Sequence, residues 1–294
     1  MRNAIFLTFD DHYFSYAKVC LISLEKNYTD HPEVLIFYDG NKSSIINFLQ
    51  GLSKVSIYKP EYDFMNFNGL DLGPIGSKKV YFRFILWTEK FKDYDSILHL
   101  DVDTIILKPF PELFNKTDFF CVNDFTPFNR SIFKSKFSNS KLLKTILKID
   151  GINLKPTEIE MLNAGVFLIP KKFRTKAQFD KLVAISRKYN KYIHFADQSV
   201  IAIWCKINNI RITDDVIYNF QLPFRVSKSV YELMSLKRIS TDQIKILHHT
   251  WGKKVEDIKS FVKFAELISA STNLMVDYIY PHIKRNTMEA RKGT

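Results

Sequence analysis

The stretch "SILHLDVDTIILKP", residues 96–109, sets two carboxylates one residue apart at the end of an apolar run. Ser96 to Leu100 branches and alternates like a buried strand. Asp101 and Asp103 therefore fall where that strand leaves its sheet, and Val102 between them points back toward the core. Two like charges that close repel, and the pair costs stability unless a cation or a shared proton neutralises it; a divalent metal is the natural third member. The alternative is a pair of solvated turn aspartates. The flanking "ILHL" and "TIIL" argue against it, because exposed loops are rarely framed by such runs.

Further apolar runs with strand character lie at Ala4 to Phe9, Val34 to Tyr38, Lys54 to Tyr58, Phe119 to Val122, Gly165 to Ile169 and Lys245 to His248. Helical spacing appears between them, over Ser15 to Asn27 (Ala17, Cys20, Leu21, Leu24) and Val80 to Phe91 (Phe84, Ile85, Trp87). Alternation of strand and helix predicts an α/β fold with a mostly parallel sheet covered on both faces, and such sheets bind ligands at the carboxyl ends of their strands. No linker rich in Gly, Ser or Pro divides the chain, and no internal repeat appears. The reading is one domain over residues 1–276, ending in a helical stretch at Val255 to Ile268, followed by a basic, weakly patterned tail at 277–294.

The 294 residues are 46% hydrophobic, with 26 Phe and 14 Tyr, which supplies a globular, enzyme-sized core and excludes a disordered tail protein. Three cysteines, Cys20, Cys121 and Cys205, are too few and too dispersed for a disulfide framework or a Cys-rich zinc site. They read as buried, reduced thiols. The N-terminal "MRNAIFLTFDDHYF" reaches two aspartates too soon for a secretory segment, and no run is long enough to span a bilayer, so a cytoplasmic protein is expected. The net charge of +12 invites an anionic partner. It is concentrated in Arg130 to Lys148, with six basic residues and no acid, and in Lys171 to Lys176, with four more. No nucleic-acid motif accompanies it, which leaves a solvated face, a phosphate contact or peripheral contact with an anionic membrane.

The turn after the first strand, "FDDHYF", has no glycine and excludes the dinucleotide fingerprint; neither "YDGNKSS" nor "GPIGSKK" makes a P-loop. Asp10 and Asp11 instead offer acceptors, and Tyr13 an aromatic face, which suits a nucleobase. The plainer reading is that Asp11 caps a helix and Tyr13 is core. Two metal-dependent chemistries fit an Asp-x-Asp at a strand end. One is a haloacid-dehalogenase-type phosphatase, with Asp101 as nucleophile and Asp103 as acid, and with Asp214 and Asp215 mimicking its acidic motif. Position argues against it, because that nucleophile sits on the first strand of its domain. The other is a nucleotide-sugar glycosyltransferase, whose aspartates hold a metal against the diphosphate leaving group.

Seven segments stand in order along the chain: "FDDHY" (9–13), "VYFRF" (80–84), "LDVDTIILKP" (100–109), "LNAGVFLIP" (162–170), "FADQSV" (195–200), "IYNFQ" (217–221) and "HTWG" (249–252). Together they resemble glycosyltransferase family 8, the glycogenin and bacterial lipooligosaccharide galactosyltransferase group, over nearly the whole length. The resemblance implies a GT-A fold, a single Rossmann-like domain with a mixed, mostly parallel central sheet. It also implies a UDP-sugar donor, a glycan, glycolipid or protein acceptor, retention at the anomeric carbon, and Mn²⁺, with Mg²⁺ as the alternative. Asp101 and Asp103 would hold the metal with His249, chosen because Gly252 follows three residues later; His248 is expected to face the other way. Carboxylate and imidazole together suit Mn²⁺ better than an all-oxygen Mg²⁺ site.

By the same resemblance, Thr8, Asp10, Asp11, His12 and Tyr13 would surround the uracil. Arg83, on the expected helix, and Val102 would meet sugar or phosphate; the plainer role for Arg83 is a surface ion pair with Glu89 or Asp93. Asn163, Ala164 and Gly165 would turn into a strand against the sugar, although a plain β-bulge uses the same residues. Asp197 and Gln198 would lie nearest the chemistry, with Asp124 as an acceptor-side carboxylate. The sequence also departs from the family. "HTWGKKVED" lacks the usual Lys-Pro-Trp, so phosphate contact falls to Lys253 or Lys254, and His12 stands where asparagine is more usual. "NRSIFKSKFSNSK" replaces any familiar acceptor loop and suggests an anionic acceptor, such as a lipid-linked or phosphorylated glycan. The altered lysine loop keeps a non-catalytic nucleotide- or carbohydrate-binding protein as a further alternative.

Overall fold

The computed structural model describes residues 1–70, 77–124, 132–222 and 241–249, the side chains of Leu222, Thr241 and His249 excepted. The N-terminal third follows the predicted alternation: β1 (Asn3–Asp10), α1 (Phe14–Asn27), β2 (Glu33–Asp39), α2 (Ser43–Gln50) and β3 (Val55–Tyr58). Lys54, expected to open the third strand, instead takes a left-handed φ of 51°, and the strand begins one residue later. β4 (Ser96–Leu100), β5 (Thr104–Ile106), β6 (Phe120–Asn123), α3 (Lys141–Ile149), β7 (Leu162–Pro170), α4 (Lys176–Tyr189), α5 (Ala196–Ile207), β8 (Phe220–Leu222) and β9 (Ile246–His249) follow.

The central sheet has the order β3-β2-β1-β4-β7-β6, and a small sheet has the order β5-β9-β8. The first four central strands are parallel, while β7 runs antiparallel to both β4 and β6. Side chains alternate across the sheet, as period two requires. One face, carrying Ala4, Phe6, Leu35, Phe37, Ile97 and Phe167, packs on residues 78–87 and on α4 and α5. The other carries Ile5, Leu7, Val34, Ile36, Leu98 and Leu168, and packs on α1, α2 and the small sheet. The three cysteines are buried and free, as read from the sequence. No helix among the described residues is long and apolar enough to cross a membrane.

Two elements differ from expectation. The helix read over Val80 to Phe91 is a 3-10 segment, Lys78–Trp87, followed by a short turn, Glu89–Phe91. Tyr81, Phe82, Phe84, Ile85, Leu86 and Trp87 are all buried, so the run has no single apolar stripe to lay on the sheet, unlike an amphipathic helix. The second difference is at Asn163 to Gly165, which lie inside β7 rather than in a turn before it. β6 pairs with Leu168 and Phe167 and then with Asn163 and Leu162, leaving Ala164 to Val166 as a bulge. Gly252, Lys254, the expected helix at Val255 to Ile268 and the tail at 277–294 lie outside the described residues, as do residues 125–131, the last two of which open the basic segment.

Phe167 is fully buried and stacks on both Phe119 and His99, with ring centroids 5.5 and 4.7 Å apart. Phe167→Ala is expected to lower unfolding stability by about 3–5 kcal/mol, read as a reduced urea midpoint at unchanged slope. Glu33 ties the strand starts together, accepting from Tyr94 Oη (2.8 Å), Ser56 Oγ (2.7 Å) and Arg2 (3.2 Å). Burial alone would raise its pKa; these partners overcome that and hold it below the ordinary 4.5. A depressed carboxylate stabilises the fold above its unfolded value, and that contribution is lost as pH falls through the folded one. Urea midpoints measured against pH are therefore expected to fall less steeply below pH 4.5 in Glu33→Gln than in the parent.

Candidate active site

The parallel strands β1 and β2 end in Asp10 and Asp39, and β4 delivers Asp101 one residue past its end, so one edge of the sheet collects three carboxylates. A tight turn follows β4. The Asp101 amide donates to Gly165 O (2.7 Å) on the bulge, and the Asp101 carbonyl accepts from Thr104 Oγ1 (2.8 Å). Asp103 thereby faces the same space as Asp101 before the chain enters β5. Val102 between them is buried in the core, as predicted, which leaves only its backbone for a ligand.

Arg83 projects from the 3-10 segment into this edge. Its Nη2 lies 3.0 Å from Asp101 Oδ1, its Nε lies 3.0 Å from Asp197 Oδ2, and its Nη1 donates to Ala164 O. The surface pairing with Glu89 or Asp93 is not formed. Burial disfavours the guanidinium charge, but Asp101, Asp197 and Asp103 outweigh it and raise its pKa. Asp101 is the converse: burial works against its charge, and Arg83 and His99 hold its carboxyl well below the usual range. Asp197, on the first turn of α5, is raised to about 6, chiefly by burial, against the pull of Arg83.

His99 was not singled out in the sequence. Fully buried on β4, it reaches Asp101 Oδ1 with Nε2 (3.1 Å). Burial, and then Arg83, lower its pKa to about 4, so the ring is neutral and donates to the carboxylate. Arg83 and His99 thus share one oxygen of Asp101, and Oδ2 has no hydrogen-bond partner among the described residues.

His248 requires a correction. It is expected to face away from the aspartates, but β9 pairs with β5 just past Asp103, and the His248 Nε2 lies 3.3 Å from Asp103 Oδ1. The expectation assumes regular strand alternation beside His249, whereas Asp103 lies in the turn before β5, where that alternation does not apply. Burial lowers the pKa of the imidazole, and Asp103 more than reverses this, leaving it raised. The ring lies so close to β7 that a Cβ on Gly165 would stand 2.6 Å from Nε2. The expected closeness of Gly165 thus serves an imidazole. Oxygen and nitrogen donors of Asp101, Asp103 and His248 lie within 4.8 Å of one another. Two hard oxygens and an imidazole at this spacing fit a divalent first-row ion. The side chain of His249 lies outside the described residues.

The remaining candidates fall into two groups. Gln198 Oε1 accepts from Ala164 N (3.2 Å) and Nε2 donates to Asp124 Oδ2 (2.9 Å), which joins α5, the bulge and the end of β6. Asn163 Oδ1 accepts from Gly165 N and from Asn219 Nδ2, both at 3.0 Å. At the other end of the edge, Asp10 Oδ1 caps a short 3-10 turn by accepting from His12 N (3.0 Å), so Asp10 rather than Asp11 is the cap. Asp11 accepts from Tyr38 Oη, while Tyr13 and Thr8 are half-buried and His12 is exposed. Lys79, which no sequence signal picked out, lies 2.8 Å from Asp10 and 2.9 Å from Asp39. His99 could have been found, since it shares period-two parity with Asp101.

Residues 4–254 match the family described as Glycosyl transferase family 8. No curated protein matches the chain in sequence. Among solved structures, it is similar to the galactosyltransferase LgtC in complex with donor and acceptor sugar analogues, at 18% identity and TM-score 0.61, covering 92% of this chain and 96% of that one. WbbM, a bifunctional glycosyltransferase, matches at 16% identity and TM-score 0.61, over 95% of this chain and 51% of WbbM. Mouse xyloside xylosyltransferase 1 matches at 16% identity and TM-score 0.56, over 85% and 98% of the respective chains. These likenesses bear out the GT-A reading of the mixed sheet.

Removing Arg83 strips the cation from between Asp101 and Asp197. Arg83→Met is expected to destabilise by about 3–5 kcal/mol. Saturating Mn²⁺ should restore part of the loss, read as a larger metal-induced rise in unfolding temperature than in the parent.

Proposed function

Because the chain belongs to glycosyl transferase family 8, we propose that it is a retaining glycosyltransferase moving a hexose, galactose or glucose, from a UDP-sugar to a glycan, glycolipid or protein acceptor. The observation that carries this reading is the convergence of Asp101, Asp103 and His248 at the carboxyl edge of the parallel strands, beside Arg83 and the β7 bulge. We assign the metal, Mn²⁺ by preference, to these three side chains; His248 takes the place the sequence reading gave to His249. A bound divalent ion supplies positive charge for the diphosphate as the anomeric bond breaks.

The protein's own groups do the rest. Arg83 fixes Asp101 and Asp197 in place, and Asp197 faces the sugar hydroxyls. Gln198 is held at both ends of its amide, so Oε1 stays oriented with one lone pair free after accepting from Ala164 N. A fixed amide dipole of this kind stabilises positive character developing at the anomeric carbon without reorganising. Asp124, at the far end of the same amide, stands on the acceptor side and would take up the hydroxyl proton or orient that hydroxyl. Asp10, Asp11, His12, Tyr13 and Thr8 form the base-binding turn, and Lys254 with Gly252 contacts the diphosphate. The basic stretches at 130–148 and 171–176 suit an anionic acceptor or peripheral contact with an anionic membrane from the cytoplasmic side.

The test is UDP release from a panel of UDP-sugars by metal-stripped protein, with and without added Mn²⁺. One donor is expected to turn over only with the metal, and Asp103→Ala is expected to fall to background. Turnover undiminished by EDTA rejects the assignment. Saturable UDP binding with no donor consumed points instead to a binding protein.

A further inference from the structure

Asn219 sits in the short connection between residues 216–218 and β8, fully buried, with a carboxamide on each side of which a polar group waits. Which end is oxygen and which nitrogen follows from the network itself. The backbone N–H of Gly165 can only donate, and it points at Asn163 Oδ1 from 3.0 Å. The Asn163 atom is therefore an oxygen, and the Asn219 atom 3.0 Å from that same oxygen must be the amide nitrogen. The other end of Asn219 is then its carbonyl oxygen, 3.0 Å from Nδ1 of His248. A carbonyl oxygen only accepts, so Nδ1 carries the hydrogen. The second ring nitrogen, Nε2, is the one facing Asp103 at 3.3 Å.

We propose that Asn219, oriented by Asn163 and the Gly165 backbone, is a positioning residue that fixes the His248 tautomer and presents Nε2 as a metal ligand alongside Asp101 and Asp103. The proposal rests on the metal-site reading above, but not on which sugar is transferred. It gives Asn163 a different task from a sugar contact through its oxygen, because that oxygen is already committed twice. It also explains the glycine at 165 by two demands at once: its N–H sets the direction of the relay, and its missing side chain admits the ring that the relay orients. Hydrogen-bond partners behind a ligating histidine typically contribute 10- to 100-fold in metal affinity by holding tautomer and ring angle.

The experiment titrates Mn²⁺ alone into the metal-free full-length chain and follows free Mn²⁺ by electron paramagnetic resonance, so that no turnover is involved. Asn219→Leu, checked for folding by near-ultraviolet circular dichroism, is expected to bind Mn²⁺ about 10- to 100-fold more weakly than the parent. Asn219→Asp keeps an acceptor at Nδ1 and is expected to bind more tightly than Asn219→Leu. In the metal-free parent at alkaline pH, ¹⁵N NMR of the His248 ring is expected to show hydrogen on Nδ1, a readout that needs no variant. A ring protonated on Nε2 instead overturns the proposal, as does parent-like affinity in Asn219→Leu while His248→Ala binds weakly. If His248→Ala binds Mn²⁺ like the parent, the ligand assignment itself fails and the relay loses its object. Loss of sugar transfer with Mn²⁺ affinity intact would count against the functional reading alone.

Discussion

A single guanidinium ties together the carboxylate edge of the central sheet. Asp101 and Asp197 approach from two elements far apart in sequence, the end of β4 and α5, Asp197 buried and Asp101 half-buried. Without a cation between them one would have to give up its charge. Arg83 lies within 3.0 Å of each and also donates to the Ala164 carbonyl exposed by the bulge, so one planar group joins β4, β7 and α5. The asymmetry of the result is informative. Asp101, which has His99 as well, is held firmly ionised, while Asp197 is raised to about 6 because burial outweighs its share of the same arginine. Neighbouring carboxylates thus receive different proton affinities from their surroundings, which is the usual way a site assigns them different work.

The β7 bulge is the second constraint, and it works through the backbone. A regular strand would spend the N–H and C=O groups of Ala164 and Gly165 on ladder bonds. With β6 out of register over Ala164 to Val166, the Ala164 groups are released to side chains, its O to Arg83 and its N to Gln198, while on the β4 side Gly165 N bonds Asn163 Oδ1. The strand still holds its other neighbour, since Asp101 N bonds Gly165 O in continuation of the β4 pairing. The site is therefore built on a rigid central strand rather than on a loop, and its side chains are oriented by main-chain groups that cannot rotate away.

Where sequence reasoning succeeded, it used local periodicity. The core alternation of β1, β2 and β4 and the emergence of Asp101 and Asp103 at a strand end are properties of short stretches, and they were legible as such. The losses came where pairing or packing between distant segments decides. Residues 78–87 have helical spacing but wind as 3-10 turns, with six consecutive or near-consecutive apolar residues packed by segments distant in the chain. His248 was given no task, because its approach to Asp103, more than a hundred residues away in the chain, is made only when β9 pairs with β5. Lys79 has no local signature at all, since its role depends on two strand ends, Asp10 and Asp39, meeting beneath it. Asn219 could be quoted as part of a motif but given no task, because its partners come from β7 and β9.

Lys79 also bears on a question the sequence leaves open, namely why the metal should choose one acidic pair over another. "FDDHY" and "LDVDT" both bring adjacent acids to the carboxyl edge of the sheet. At the first, the charge is already met: Lys79 lies 2.8 and 2.9 Å from Asp10 and Asp39, Tyr62 Oη donates to the same oxygen of Asp39, and Tyr38 Oη donates to Asp11. At the second, Arg83 and His99 both meet the same oxygen of Asp101, and among the described residues Asp103 pairs with the imidazole of His248 alone. The excess negative charge is therefore confined to Asp103 and the outer oxygen of Asp101, with a nitrogen donor directed at them from β9. A divalent ion gains most where the protein has supplied donor atoms but withheld the neutralising cation. The unequal distribution of lysine and arginine, rather than the number of aspartates, separates the two acidic ends of the same sheet edge.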